Sequence, residues 1–262
     1  MTTFRDFSNA PEAVKLLYFQ QRANNTIPYV NAMKRKYQSR TKVNISFQEA
    51  FALLDKVVDI SDPDVEIPNA THAFQSAEAA HLDGAPDWMI AAALIHDMGK
   101  IFALLDDAAD EEGTTLATQW GLVGDTFILG HPLPPTLPFP DYAYTVNEAI
   151  YHPGCGLDST IVTWGHDEIL YQALLKMKQA GTCKLPDEAL YCIRFHSLYA
   201  HHTNQEYDHL LDVKDLELLA SLQQLNKYDL YSKTAQRRPY YQWLDAFKPI
   251  LKTYFPPFFI SI

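Results

Sequence analysis

The stretch Leu94–Phe102, "LIHDMGKIF", follows the apolar run "WMIAAA" and carries His96, Asp97 and Lys100 toward the interior of a hydrophobic segment. Ionisable groups buried without partners are costly. Two other segments repeat the anomaly. In "DLELLASLQQLNKYDLYSK" (215–233), Leu218, Leu222, Leu225 and Asp229 fall at i, i+4, i+7 and i+11, which puts an acid on the stripe that should face the core. In "DEALYCIRFHSLYA" (187–200), Ala189, Ile193, His196 and Ala200 share that spacing. Met89, Ala93, His96 or Asp97, Lys100 and Leu104 repeat it in the first segment. One such residue reads as a core histidine or a cap. Several, pointing inward from three helices, suit a divalent or trivalent metal that supplies the missing counter-charge.

Context sorts the other histidines. His72 lies at a helix start in "THAFQSAEAAH", and His81, nine residues on, falls on the opposite side and reads as surface. His166 sits near a helix start after a glycine in "TWGHDEILYQ", within a second His-Asp pair. His201 and His202 close a helix and could serve its C-terminal dipole, while His131, His152 and His209 fall in loops or polar context. Cys155, Cys183 and Cys192 form no soft-ligand cluster, so a structural zinc site is not expected. Nitrogen and oxygen donors favour iron or manganese over magnesium.

The elements that must hold these residues are helices. "SFQEAFALLDKVVD" (46–59) opens with Ser46 and Glu49 at capping-box spacing, and "APDWMIAAALIHDMGKIFALL" (85–105) starts with a proline and an acid and reads as one continuous helix. "EILYQALLKMKQA" and "DEALYCIRFHSLYAHH" are helical too, and alternating strand patterns are scarce. "DDAADEEGTT" (106–115) reads as a solvated acidic loop, and "HPLPPTLPFPDYAY" (131–144) as a structural connector. The aromatic end "YFPPFFISI" reads as a strand-like tail packed on the body. With 262 residues, 47% of them hydrophobic, the chain is long enough for a sizeable core. Its net charge of -11 argues against a nucleic-acid or anionic-membrane partner. No apolar run approaches a membrane span. "MTTFRDFSNA" is no signal peptide, and three cysteines without CxxC spacing suit a reduced cytoplasmic setting. A small-molecule partner and a monomer are expected.

The order His72, His96–Asp97 and Asp229 resembles the metal-binding signature of the HD-domain superfamily. The surrounding text is more specific. "SDPDVEIPNATHAFQSAE", "LIHDMGKI", "VGDTF", "CGLDSTIVTWGHDE", "IRFHSLY", "NKYDLYSK" and "RPYY" closely resemble the inositol oxygenase family. The likeness runs from "FRDF" at 4–7 to the tyrosines at 240 and 241 and departs in the acidic 106–115 stretch, which looks like an insertion.

That resemblance implies an all-α, single-domain HD-type helical bundle over 1–262. Its parts would be an N-terminal substrate lid and helical region (1–45), a metal-binding helical core (46–240) and a C-terminal tail (241–262). It implies two iron ions in a mixed Fe(II)/Fe(III) state. His72, His96, Asp97 and Asp229 would hold one, with Asp97 bridging to a second held by His166 and His196. Substrate contacts would come from Arg5, Asp59, Ser61, Lys100, Gly124, Asp125, His196, Ser197 and Lys233, with Asp97 and Lys100 as the catalytic pair. The implied reaction is ring cleavage of myo-inositol by O2 to D-glucuronate and water. The substrate supplies all four electrons, so neither NAD nor flavin is required, in keeping with a sequence that has no GxGxxG or P-loop. The rival readings are a metal-dependent HD-type phosphohydrolase and a metal-bound scaffold without turnover.

Overall fold

The computed structural model describes residues 7–40, 43–61, 67–106, 112–142, 144–231 and 240–261. Helix starts follow the sequence closely. Before α3 (Phe47–Leu54), the Ser46 side chain accepts from the Glu49 amide and the Glu49 carboxylate accepts from the Ser46 amide at 2.9 Å, a complete capping box. The helix stops short of the expected Asp59 because Val58 leaves it to bridge Pro68. Helices α4 (Asn69–Leu82), α5 (Asp87–Ile95) and α7 (Asp187–Phe195) each begin directly after a proline, whose missing N–H and fixed φ suit a helix entry. Helices α1 (Glu12–Asn24) and α2 (Ile27–Ser39) precede α3, α6 (His166–Gln179) lies between α5 and α7, and α8 (Tyr199–His202) follows α7.

At the centre of the molecule α5 and α9 (Val213–Tyr231) each pack against both α4 and α7, and against each other. Alanines 70, 73, 77 and 80 on α4 and 91, 92 and 93 on α5 are all buried, and side chains this small let the two helices approach closely. The final helix, α10 (Tyr240–Tyr254), packs on α3, α4 and α5, with Trp243 and Phe247 against Phe74. Strand β1 (Asn44–Ser46) pairs antiparallel with the chain's last strand, β4 (Phe259–Ser261), so the aromatic end is tied to the start of α3. A second ribbon joins β2 (Ile128–Leu129) to β3 (Ile161–Val162). The architecture is an all-α single-domain bundle, as expected.

Two expectations need correction. The reading of 85–105 and 187–202 as unbroken helices fails at the same kind of point. Helix α5 ends at His96, and a 3₁₀ segment takes over from Met98 to Leu104; helix α7 ends at His196, and α8 restarts at Tyr199. The acidic 106–115 stretch is not simply solvated. Asp106 accepts from Tyr37, Arg40 and Thr114, and Gly113, Thr114 and Thr115 are buried; residues 107–111 lie outside the described set. Residues 131–142 are a run of turns, bends and irregular backbone, consistent with the connector expected for 131–144.

One buried charge cluster fixes α6 against α7. The Glu168 carboxylate, fully buried, accepts from Arg194 Nε at 2.8 Å and lies 3.0 Å from Lys34 Nζ. Burial alone would raise its pKa, but Arg194 and Lys34 hold it below the usual carboxylate range. A depressed carboxylate pKa contributes stability above the unfolded value of ~4.3, and that stability is lost as pH falls through the folded value. Glu168→Gln is therefore expected to cost roughly 3 kcal/mol at pH 7. Denaturant unfolding should show the gap to the native sequence narrowing below pH ~4.

Candidate metal centre

The two helix breaks build the site. At each, the terminal histidine turns its Nδ1 back onto the carbonyl three residues earlier: His96 to Ala93 at 2.8 Å and His196 to Ile193 at 2.7 Å. His166, first residue of α6, does the equivalent with Leu122 O at 2.7 Å. A carbonyl only accepts, so Nδ1 carries the proton in all three and Nε2 presents its lone pair inward. His72, in the first turn of α4, points Nε2 at Asp229 Oδ1, 2.8 Å away on α9. Asp97 follows α5 with φ -88° and ψ 0°, the bridge region, and stands among all four imidazoles.

The two oxygens of Asp97 serve different groups. Oδ2 lies 3.6 Å from His96 Nε2 and 3.8 Å from His72 Nε2, and Asp229 Oδ1 completes that side at 3.4 Å from His96. Oδ1 lies 3.2 Å from His166 Nε2 and 3.8 Å from His196 Nε2, which are 3.0 Å from each other. Neighbouring donors each about 2.1 Å from one ion sit about 3 Å apart, so both groups have the spacing of a coordination shell. His72, His96, Asp97, His166, His196 and Asp229 are all buried.

Two features show what this donor set lacks. His166 and His196 aim lone pairs at each other at hydrogen-bond distance with both Nδ1 protons already committed. His96 Nε2 is buried without a hydrogen-bond partner among the described residues. A cation on each side of Asp97 answers both. Against burial, Lys100 and His96 hold the Asp97 carboxyl well below the usual range, and His72 and His96 do the same for Asp229. Both acids are anionic and available as ligands.

Lys100 is the nearest cation. Its Nζ lies 2.9 Å from Asp97 Oδ1 and 2.8 Å from Asp59 Oδ2, and it donates to Asn69 Oδ1 at 3.2 Å. Burial opposes its charge, but Asp59 and Asp97 raise its pKa and favour the ammonium. The expected four-residue helical relation to His96 does not exist. Lys100 follows Asp97 by three in a 3₁₀ segment, where i and i+3 eclipse. Asp59 is held in turn by the amide and hydroxyl of Ser61, at 2.8 and 2.6 Å.

A cavity of about 400 Å³, counting its open mouth, brings together Asp59, Ser61, Lys100, Gly124, Asp125, His196 and Ser197. Of the expected substrate contacts, only Arg5 and Lys233 are missing, and both lie outside the described residues. Asp125 is oriented by the Tyr18 hydroxyl at 2.8 Å, and its carbonyl accepts from Gln21 at 3.1 Å. Gly124, at φ +95°, meets Gln21 where a side chain would stand.

Several participants escaped the sequence reading. Tyr199, in the cavity wall, donates to Asp229 Oδ2 at 3.0 Å, and nothing in its helix pattern marks it. Gly99 is the sharper case, because a Cβ there would stand 2.0 Å from the His166 carbonyl oxygen. The two metal-facing segments touch backbone to backbone. A glycine inside a helical pattern was the available signal. His201 and His202 also differ from expectation: both are buried, and burial pushes His202 down to about 3, so it is neutral and cannot act on a helix dipole as a cation. Instead it bonds the His196 carbonyl at 2.8 Å. Asp167, the acid of the second His-Asp pair, stays out of the centre. It accepts from the Glu168 amide at the helix start, at 2.9 Å, and from Thr126 at 2.7 Å.

A family-wide sequence pattern for myo-inositol oxygenase matches residues 11–261. The chain belongs to this family. It is 37% identical to the inositol oxygenase of Mus musculus over 94% of this chain and 89% of that protein. It is 35% identical to that of Danio rerio over 95% and 92%, and 37% identical to inositol oxygenase 4 of Arabidopsis thaliana over 97% and 81%. Myo-inositol oxygenase relatives thus align along nearly the entire chain, including every segment that lines the centre. Among the described residues, no helix is long and apolar enough to cross a membrane.

Because Gly99 abuts the His166 backbone, Gly99→Ala must displace one segment or the other. It is expected to cost roughly 1–3 kcal/mol in thermal unfolding. It should also weaken metal binding on the His166–His196 side by about 10- to 100-fold, read by calorimetric titration with Mn(II).

Proposed function

We propose that this chain is a di-iron oxygenase that cleaves the ring of myo-inositol with O2, giving D-glucuronate and water. The observation that carries the reading is the division of Asp97, with Oδ2 facing His72 and His96 and Oδ1 facing His166 and His196. One ion would be held by His72, His96, Asp97 and Asp229, the other by Asp97, His166 and His196. An all-nitrogen-and-oxygen donor set without thiolate suits iron. When bound, iron would supply Lewis acidity and the redox capacity to use O2.

The chain's own residues bind and orient. Lys100, whose carboxylate neighbours favour its charged form, exchanges its longest contact, to Asn69 Oδ1, for a substrate hydroxyl oxygen and stabilises negative charge that develops there. Asp59 and Ser61 position Lys100 and border the cavity mouth. Asp125, fixed by Tyr18, accepts a hydrogen bond from a polyol hydroxyl, and Ser197 provides a second polar contact beside His166. The raised φ of Gly124 lets the loop backbone approach the ring. Arg5 and Lys233 are assigned substrate contacts by the family resemblance alone. A neutral polyol matches this lining better than a phosphate ester does. Among the described residues Lys100 is the cation that lines the cavity, and two carboxylates already neutralise it, which disfavours the phosphohydrolase.

Anaerobic loading with iron is expected to give two ions per chain and a coupled mixed-valent paramagnetic resonance signal that myo-inositol perturbs. Readmitting O2 should consume one molecule per inositol. Phosphate release from nucleotides without O2 uptake would sink the reading in favour of the hydrolase. His196→Ala should lower inositol-dependent O2 uptake at least about a hundredfold, the scale on which a metal site loses function.

A further inference from the structure

Three histidines that take no part in the metal centre come together where three loops meet. His131 follows β2, His152 lies between β2 and β3, and His209 sits in the 3₁₀ turn Asp208–Leu210 that precedes α9. Backbone hydrogen bonds tie these loops to one another. The Ile150 amide donates to the Gly130 carbonyl at 2.9 Å, and the Gly154 amide donates to the His209 carbonyl at 2.8 Å. His152 stands two residues from each tie, between the segment that carries His131 and the turn that carries His209. His152 and His209 are exposed, and His131 is half-buried.

Two of the rings are set up as donors. His131 and His152 each precede a proline, and each turns Nδ1 onto that proline's carbonyl, at 2.7 and 3.1 Å. The carbonyl only accepts, so Nδ1 carries the proton and Nε2 keeps its lone pair. The Tyr207 ring backs His131 edge-on, with centroids 4.9 Å apart. His131 Nε2 lies 3.2 Å from His209 Nε2, the separation of neighbouring donors around one ion. Burial, and His209 beside it, hold the His131 pKa below the usual histidine value, which keeps the ring neutral, while Glu206 supplies a negative charge nearby. Without an ion, a proton on His209 Nε2 bonds the His131 lone pair. Moving that proton to Nδ1 of the exposed His209 ring frees both lone pairs.

We propose that His131, His152 and His209 bind one divalent transition-metal ion of the zinc, nickel or copper class, at a site separate from the metal centre. Neutral imidazoles select these ions over magnesium and calcium, which prefer oxygen. His152 joins the pair by a side-chain rotation of the kind exposed residues make freely. The bound ion clips three loops together. One leads on from Gly124 and Asp125 through β2, one runs to β3, and one enters α9, the helix that carries Asp229. The proposal does not depend on the reaction assigned above.

The probe is zinc chloride, titrated by calorimetry into the iron-loaded protein while its iron content is followed, and then into His152→Ala and His209→Ala, whose folding circular dichroism verifies. One equivalent of zinc is expected to bind with the iron retained, and at least about tenfold more weakly in each variant. Zinc should raise the midpoint of thermal unfolding of the native sequence and leave that of His209→Ala unmoved. Comparison with His209→Ala reads this site whatever ion fills the centre, so a failure of the di-iron reading is seen separately. Zinc taken up only in exchange for iron, or affinity unchanged in either variant, would overturn the proposal.

Discussion

The Asp97 carboxylate is held at the meeting point of four imidazoles in a water-poor interior, and the rest of the molecule is arranged around that constraint. A single anion there would be intolerable without compensation, because desolvation of a carboxylate costs several kcal/mol. Compensation comes first from the Lys100 ammonium, 2.9 Å away. It comes next from whatever positive charge the four imidazoles can hold. Since three of those rings have committed Nδ1 to backbone carbonyls, their inward faces are lone pairs and demand a cation. A metal held there would therefore contribute directly to the stability of the fold.

The bundle pays for this geometry by interrupting its own helices. Continuing α5 or α7 would sweep His96 and His196 past the centre. Ending each helix at the histidine lets the ring fold back on its own last turn. The 3₁₀ segment after Asp97 then eclipses Lys100 over the carboxylate. Gly99 lets that segment lie against the start of α6, which brings the His166 donor within 3.2 Å of Asp97. The positions are set by backbone, and that rigidity suits a centre whose ligands must hold to fractions of an ångström.

Much of this was legible in the sequence. Asp229 stood out as an acid in a leucine stripe, and α9 does carry Leu222, Leu225 and Asp229 on its buried face. His196 and Asp97 stood out the same way, although the regular helices that made the spacing meaningful stop beside them. Periodicity pointed to residues that the fold brings together, through a pattern that holds only up to the helix end, since a terminal turn still points inward. Propensity gives no sign of those breaks; they follow from tertiary demands on His96 and His196. Residues that act through a partner distant in sequence were invisible for the same reason. Tyr18 reaches Asp125 across 107 positions, and Tyr199 reaches Asp229 across 30. The capping box of α3 and the connector role of 131–144 are local, and were read correctly.

The claim on which the account rests is that one carboxylate joins two metal ions. Anomalous diffraction at the iron edge from crystals of the iron-loaded protein measures this directly. The account predicts two peaks flanking Asp97, one bonded through Oδ2 with His72, His96 and Asp229, the other through Oδ1 with His166 and His196. A single peak, or one ion chelated by both oxygens of Asp97, would contradict it.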